Sequence, residues 1–162
     1  MCIVVSMDGF HLPRSQLSGP DLIKRGQQHT FDAKRFITTI DELRSGDNVV
    51  YCPSFDHSIK DPIQNAIHVT LDQKIVIIEG LYIFMQDWCL QGLNPYWFNL
   101  RILVHSKLTT VQERLIKRHV SSGLCINEME AELRCKMNDL LNARRVLNSV
   151  ISLEDKNGPK LN

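Results

Sequence analysis

The chain has 162 residues, 43% hydrophobic and 23% charged, with a formal net charge of +1. That balance suits one soluble globular domain with a real core, and gives no electrostatic footprint for nucleic acid or an anionic membrane as partner. The five cysteines, Cys2, Cys52, Cys89, Cys125 and Cys135, are scattered and include no C-x-x-C pair. They fit reduced thiols in a cytoplasmic compartment better than a disulfide framework or a zinc site. The opening "MCIVVSMD" lacks the basic leader of a signal peptide, and the run "IVIIEGLYIFM" is too short to span a membrane.

In chain order, "CIVVS" reads as a short buried strand, because a continuous β-branched run suits a parallel sheet. Residues 12–31 read as loop, punctuated by Pro13, Gly19, Pro20 and Gly26. Asp32 caps an expected helix that aligns Phe36, Ile37, Ile40 and Leu43 on one face and stops at Gly46. "NVVYCP" and "AIHVTL" read as strands flanking a polar loop, "SFDHSIKDPIQN". "KIVIIEGLYIF" is the strongest buried-strand candidate and "LRILVH" is another, with a short helix and turn in "MQDWCLQGLNPYW" between them. Leu108, Val111 and Leu115 set an apolar stripe on a helix ending near Gly123. A second helix starts at Asn127, with Glu130 in capping-box position and Met129, Leu133, Met137 and Leu140 as its apolar face. The polar tail over 151–162 is expected to fray, leaving 1–150 as one domain. Strands alternating with helices predict an α/β layer fold with a mostly parallel sheet.

In such folds ligands meet the carboxyl ends of strands. Asp8 and Glu79 both stand at such ends. Asp8 is also compatible with ordinary Asp-Gly turn chemistry, whereas Glu79, set in an apolar run, is an expensive place for an idle charge. The loop "PSFDHSIKDP" holds Asp56, His57, Lys60 and Asp61, a set able to grip a polyhydroxy or anionic substrate or equally to be solvated turn residues. Asp8, His11, Asp56, His57 and Glu79 together also make a metal site conceivable, and Asp8, His57 and Glu79 a metal-dependent hydrolase the alternative; no recognised ligand spacing supports it. On "VQERLIKRH", Arg114 and Arg118 share a face, as a phosphate clamp would require; an exposed basic face is the plainer alternative.

Taken together and in order, "VSMDGFH", "FDHSIKDP", "IIEGLY", "RLIKRH" and "MNDLLNA" resemble the uridine kinase-like small-molecule kinases, a P-loop group that includes phosphoribulokinase and pantothenate kinase. The similarity covers roughly residues 2–145. The resemblance implies a three-layer P-loop-kinase-like fold and phosphoryl transfer from ATP, with Mg²⁺, to a hydroxyl of a small metabolite such as uridine, a sugar or a pantothenate-like compound. It casts Asp8 as the carboxylate that orients and deprotonates the acceptor, and His11, Asp56 and His57 as lining the acceptor pocket. Glu79 falls near the acceptor and Mg²⁺, holding the ion directly or through water, and Arg114 and Arg118 fall in the lid over the phosphates. Asn138, Asp139 and Asn142 match a segment read as structural.

One element of that family is missing from the sequence. No G-x-x-x-x-G-K-[ST] loop occurs, and none of the eight glycines precedes a lysine. By the resemblance, "VSMDGFH" is the second strand, so the first, central strand and the phosphate-binding loop fall upstream of Met1. The expectation is therefore a truncated kinase-like chain that binds ATP–Mg²⁺ far more weakly than a complete one. A non-catalytic remnant retaining the acceptor pocket is the alternative.

Overall fold

The computed structural model describes residues 1–151, which fall into two compact units, one over Met1–Asn99 and one from Leu100 onward. The tail read as frayed lies, beyond Ile151, outside the described residues. No helix among the described residues is long and apolar enough to cross a membrane.

In the first unit, β1 (Cys2–Ser6) pairs in parallel with β4 (Ile75–Glu79), in a register that sets Cys2 against Ile75 and Ser6 against Glu79. Side chains alternate across this pair. Val5 on the inner face is fully buried, whereas Val4, Ile75 and Ile77 on the other face are 50%, 58% and 46% exposed. The burial on both faces expected from the β-branched runs is thus realised on one face only.

A single tight turn, Met7–Phe10, follows β1 and is capped by Ser6, whose Oγ accepts the Asp8 N–H at 3.1 Å. The stretch expected to be loop contains a short helix, α1 (Gly19–Ile23), with Pro20 in its first turn. α2 (Ala33–Ser45) forms as expected. Asp32 Oδ1 accepts the Arg35 N–H at 2.9 Å, Phe36 and Ile40 point inward, and Gly46 ends the helix at φ 67°.

β2 (Val50–Asp56) and β3 (Asp61–Val69) make an antiparallel hairpin. Most of the expected polar loop is therefore strand, and the turn shrinks to residues 57–60. The register shifts between Cys52 and Ser54, around Pro53, which has no N–H to give the ladder. The core centres on Trp88 of α3 (Gln86–Leu90), whose ring lies 5.1 Å from Phe36, 6.3 Å from Tyr82 and 6.5 Å from Phe31.

Two strand expectations are corrected. β4 stops at Glu79 rather than reaching Phe84: Tyr82, Ile83, Phe84 and Met85 are buried, but as a turn entering α3. "LRILVH" forms no strand, and Ile102, Leu103 and Val104 are 69%, 47% and 89% exposed. A strand needs a hydrogen-bonding neighbour, and among the described residues this segment has none.

The second unit is helical. α4 (Leu108–Ser121) half-buries Leu108, Val111 and Leu115, and Gly123 turns the chain away at φ 68°. α5 (Glu128–Arg134) begins at the expected cap: Asn127 Oδ1 accepts the Glu130 N–H at 2.9 Å, and Glu130 reaches back to the Ile126 N–H at 2.7 Å. A π-type turn, Cys135–Asp139, leads into α6 (Leu140–Ser149). The expected apolar face is corrected here. Met129, Leu133 and Met137 are 82%, 61% and 67% exposed, while Ala131, Cys135, Asn138, Asn142 and Val146 face inward. The buried face is built from small and hydrogen-bonding side chains, so hydropathy alone selected the wrong one.

Candidate functional site

The two acidic motifs meet because their glycines allow it. A Cβ on Gly9 would stand 2.3 Å from the Pro53 carbonyl oxygen, and one on Gly80 would stand 2.4 Å from Met7 Cβ. "MDGFH" is therefore pressed against β2, and "IIEG" against the turn after β1. Gly9 is needed for close approach rather than for turn conformation. Gly9→Ala is expected to destabilise the protein by about 2 kcal/mol or more, because the opposing atom is backbone and cannot rotate away. The midpoint of urea unfolding measures this; an unchanged midpoint would contradict the packing described.

Asp8 is half-buried at the carboxyl end of β1, and Glu79 is exposed at the carboxyl end of its parallel partner. The turn uses the Asp8 backbone, not its side chain. Its N–H goes to Ser6, and its carbonyl accepts both the His11 N–H at 3.2 Å and His11 Nδ1 at 2.8 Å. Because a carbonyl only accepts, Nδ1 carries the proton and Nε2 keeps its lone pair. Burial lowers the His11 pKa, partly opposed by the hydrogen bond to Asp8, and the ring lies 3.9 Å from Phe31 and 5.0 Å from Phe55. The result is a neutral imidazole in a fixed tautomer.

Beside it is a small cavity of about 120 Å³ lined by His11, Pro13, Gln16, Asp32, Arg35 and Gln64, among others. Pockets that hold whole drug-sized ligands run to roughly 300–1,000 Å³, so this space suits one polar arm of a small molecule. Asp32, Arg35 and Gln64 were not candidates from sequence. Asp32 was legible only as a helix cap, and Arg35 bonds Gln64 across a packing that only the fold creates.

The polar hairpin loop divides. Asp56 Oδ1 accepts the Ser58 N–H at 2.7 Å and the Ser58 hydroxyl at 2.6 Å, and these bonds hold its pKa below the usual carboxylate range. Its side chain thus shapes the turn. His57 is exposed, its ring 5.1 Å from Phe55. Asp61 does more: its Oδ1 accepts the Arg14 N–H at 3.0 Å and pairs with Arg25 at 2.7 Å. Burial would push the Asp61 carboxyl up, but these two partners outweigh it and hold it low. Arg25 also donates to the carbonyls of Lys60 and Leu12, and its guanidinium lies 5.4 Å from the Phe55 ring centre. Sequence reading passed over Arg25; its position just before Gly26, at φ 100°, was the only local signal.

Arg114 and Arg118 stand exposed on α4, in the second unit. Glu79 offers hard carboxylate oxygens, the donor type that Mg²⁺ takes, so its chemistry fits that ion.

A parallel strand pair ending in two acidic motifs, with helices in the same unit, is an α/β arrangement. No protein-family model matches the chain. It is 33% identical over 162 residues to the ATP-dependent kinase-like protein notR' of Aspergillus versicolor, covering 92% of this chain and 91% of that protein. It is 28% identical to the ATP-dependent kinase YFH7 of Kluyveromyces lactis, covering 95% of this chain but 56% of that one. The crystal structure of YFH7 from Saccharomyces cerevisiae superposes with a TM-score of 0.82 at 25% identity, over 94% of this chain and 56% of that one. The chain thus spans nine-tenths of the Aspergillus relative and about half the length of the yeast kinases. It belongs to this family of ATP-dependent kinase-like proteins.

Proposed function

We propose that this chain carries the acceptor side of an ATP-dependent small-molecule kinase, phosphorylating a hydroxyl of a nucleoside such as uridine, a sugar or a pantothenate-like metabolite. The observation that carries this reading is the placement of Asp8 and Glu79 at the carboxyl ends of paired parallel strands, beside a neutral His11. Asp8 orients the acceptor hydroxyl and takes its proton as the new P–O bond forms and the bond to ADP breaks. Phosphoryl transfer demands positioning more than strong base catalysis. His11 Nε2 accepts a second substrate hydroxyl, and the Asp32–Arg35–Gln64 cavity takes one polar arm. His57 and Asp56 border the acceptor from the hairpin. Glu79 would hold Mg²⁺, which when bound neutralises charge on the phosphates. Arg114 and Arg118 are assigned to the phosphates as lid cations. The sequence contains no Walker A loop, so no other residue of this chain is assigned to them.

The test separates acceptor from donor. Nucleosides, sugars and pantothenate are titrated calorimetrically into the full chain, and each binder is then incubated with radiolabelled ATP and Mg²⁺. Saturable binding weakened by His11→Gln, with label transferred to the binder, supports the reading. No saturable binder, or binding that His11→Gln leaves unchanged, overturns it.

A further inference from the structure

The second unit gathers ligand-type side chains from separate segments at one buried point. His119 lies near the end of α4, and Cys135 and Asp139 lie at the two ends of the π-type turn. One ligand atom from each of the three falls within 4.8 Å of the others, and His119 Nε2 is 2.8 Å from Asp139 Oδ2. His119 and Cys135 are 5% and 0% exposed, and the Asp139 side chain, at 20%, leaves a path from solvent. Cys125 is buried next to them. Its N–H donates to the His119 carbonyl at 3.0 Å, and it is close enough to Cys135 and Asp139 for their charges to act on it.

We propose that His119, Cys135 and Asp139 form a binding site for a borderline-soft divalent cation of the zinc class, with the fourth position left to water. Imidazole nitrogen, thiolate sulfur and carboxylate oxygen are the donors zinc takes in tetrahedral sites, at about 2.0–2.3 Å. Those bond lengths put neighbouring ligand atoms roughly 3.3–3.8 Å apart. The observed spacing brackets that range: the His119–Asp139 contact must open by about half an ångström, and the thiol must close by up to about an ångström. The backbone supports the same reading, since π-type turns inside α-helices recur at functional sites. Burial and the neighbouring Asp139 push the Cys135 thiol up to about 11, so it is neutral at pH 7 and its proton leaves to solvent as the cation binds.

The full chain, prepared free of metal, is titrated with Co²⁺, whose thiolate charge-transfer and tetrahedral ligand-field bands report sulfur coordination. One equivalent of Co²⁺ developing both bands, with Zn²⁺ displacing it, is expected. The Cys135→Ser variant loses the charge-transfer band, whereas Cys2→Ser/Cys89→Ser keeps it. Asp139→Asn, which preserves shape, weakens Co²⁺ binding at least about tenfold, with helicity by circular dichroism confirming that it folds. The proposal is overturned if wild type shows no charge-transfer band, if Cys135→Ser retains it, or if folded Asp139→Asn binds Co²⁺ as tightly as wild type.

Discussion

Asp8→Asn is expected to lower phosphoryl transfer to the acceptor by about 10²–10⁴-fold while leaving the fold intact. The separation of the two effects follows from how the turn is built. Its hydrogen bonds use the Asp8 N–H and carbonyl, which asparagine also possesses, and the Asp8 carboxylate makes none among the described residues. Gly9, not Asp8, is pressed against β2. Asparagine therefore keeps the shape of the side chain but cannot take the proton that the proposed role assigns to Asp8. The measurement is the rate of label transfer from ATP to the identified acceptor, alongside urea unfolding of both proteins. An unchanged rate would remove Asp8 from the chemistry. A matching loss of stability would mean that the carboxylate serves the fold.

The second large effect is on stability. Trp88→Ala is expected to cost about 3–5 kcal/mol, because the side chain is fully buried among Phe31, Phe36 and Tyr82 and its removal leaves a cavity those rings cannot close. Trp88→Phe is expected to cost much less. The indole Nε1 is buried without a hydrogen-bond partner among the described residues, so phenylalanine forfeits no bond and relieves an unsatisfied donor. Urea unfolding at constant slope gives both values. A phenylalanine variant as unstable as the alanine one would show that indole volume, rather than aromatic packing, holds this core together.

Where the chain's own local chemistry sets the structure, sequence reading succeeded. The Asp32 cap and Gly46 stop bound α2, the Asn127 cap and Glu130 open α5, and β-branched runs form β1 and β4. Five ordered motifs were enough to place the chain among the kinases, and Asp8 and Glu79 at strand ends were legible from pattern alone.

What failed depended on partners distant in sequence. "LRILVH" has the composition of a strand but no neighbour among the described residues to complete its hydrogen bonds. The Met129–Leu133–Met137 stripe has the period of a core face. Yet the face chosen for burial carries Ala131, Cys135, Asn138 and Asn142, and the neighbouring Asp139 pairs with His119. Hydropathy is blind to that choice, because burying a paired imidazole and carboxylate depends on their meeting, not on either being apolar. Arg25 became visible as the organiser of Asp61 only once the hairpin brought Lys60 and Asp61 to it. Sequence alone determined the family, the strand-end carboxylates, the limits of α2 and the start of α5, since each rests on neighbours in the chain. Tertiary structure alone decided which faces are buried and which side chains share a site, since those depend on long-range contacts.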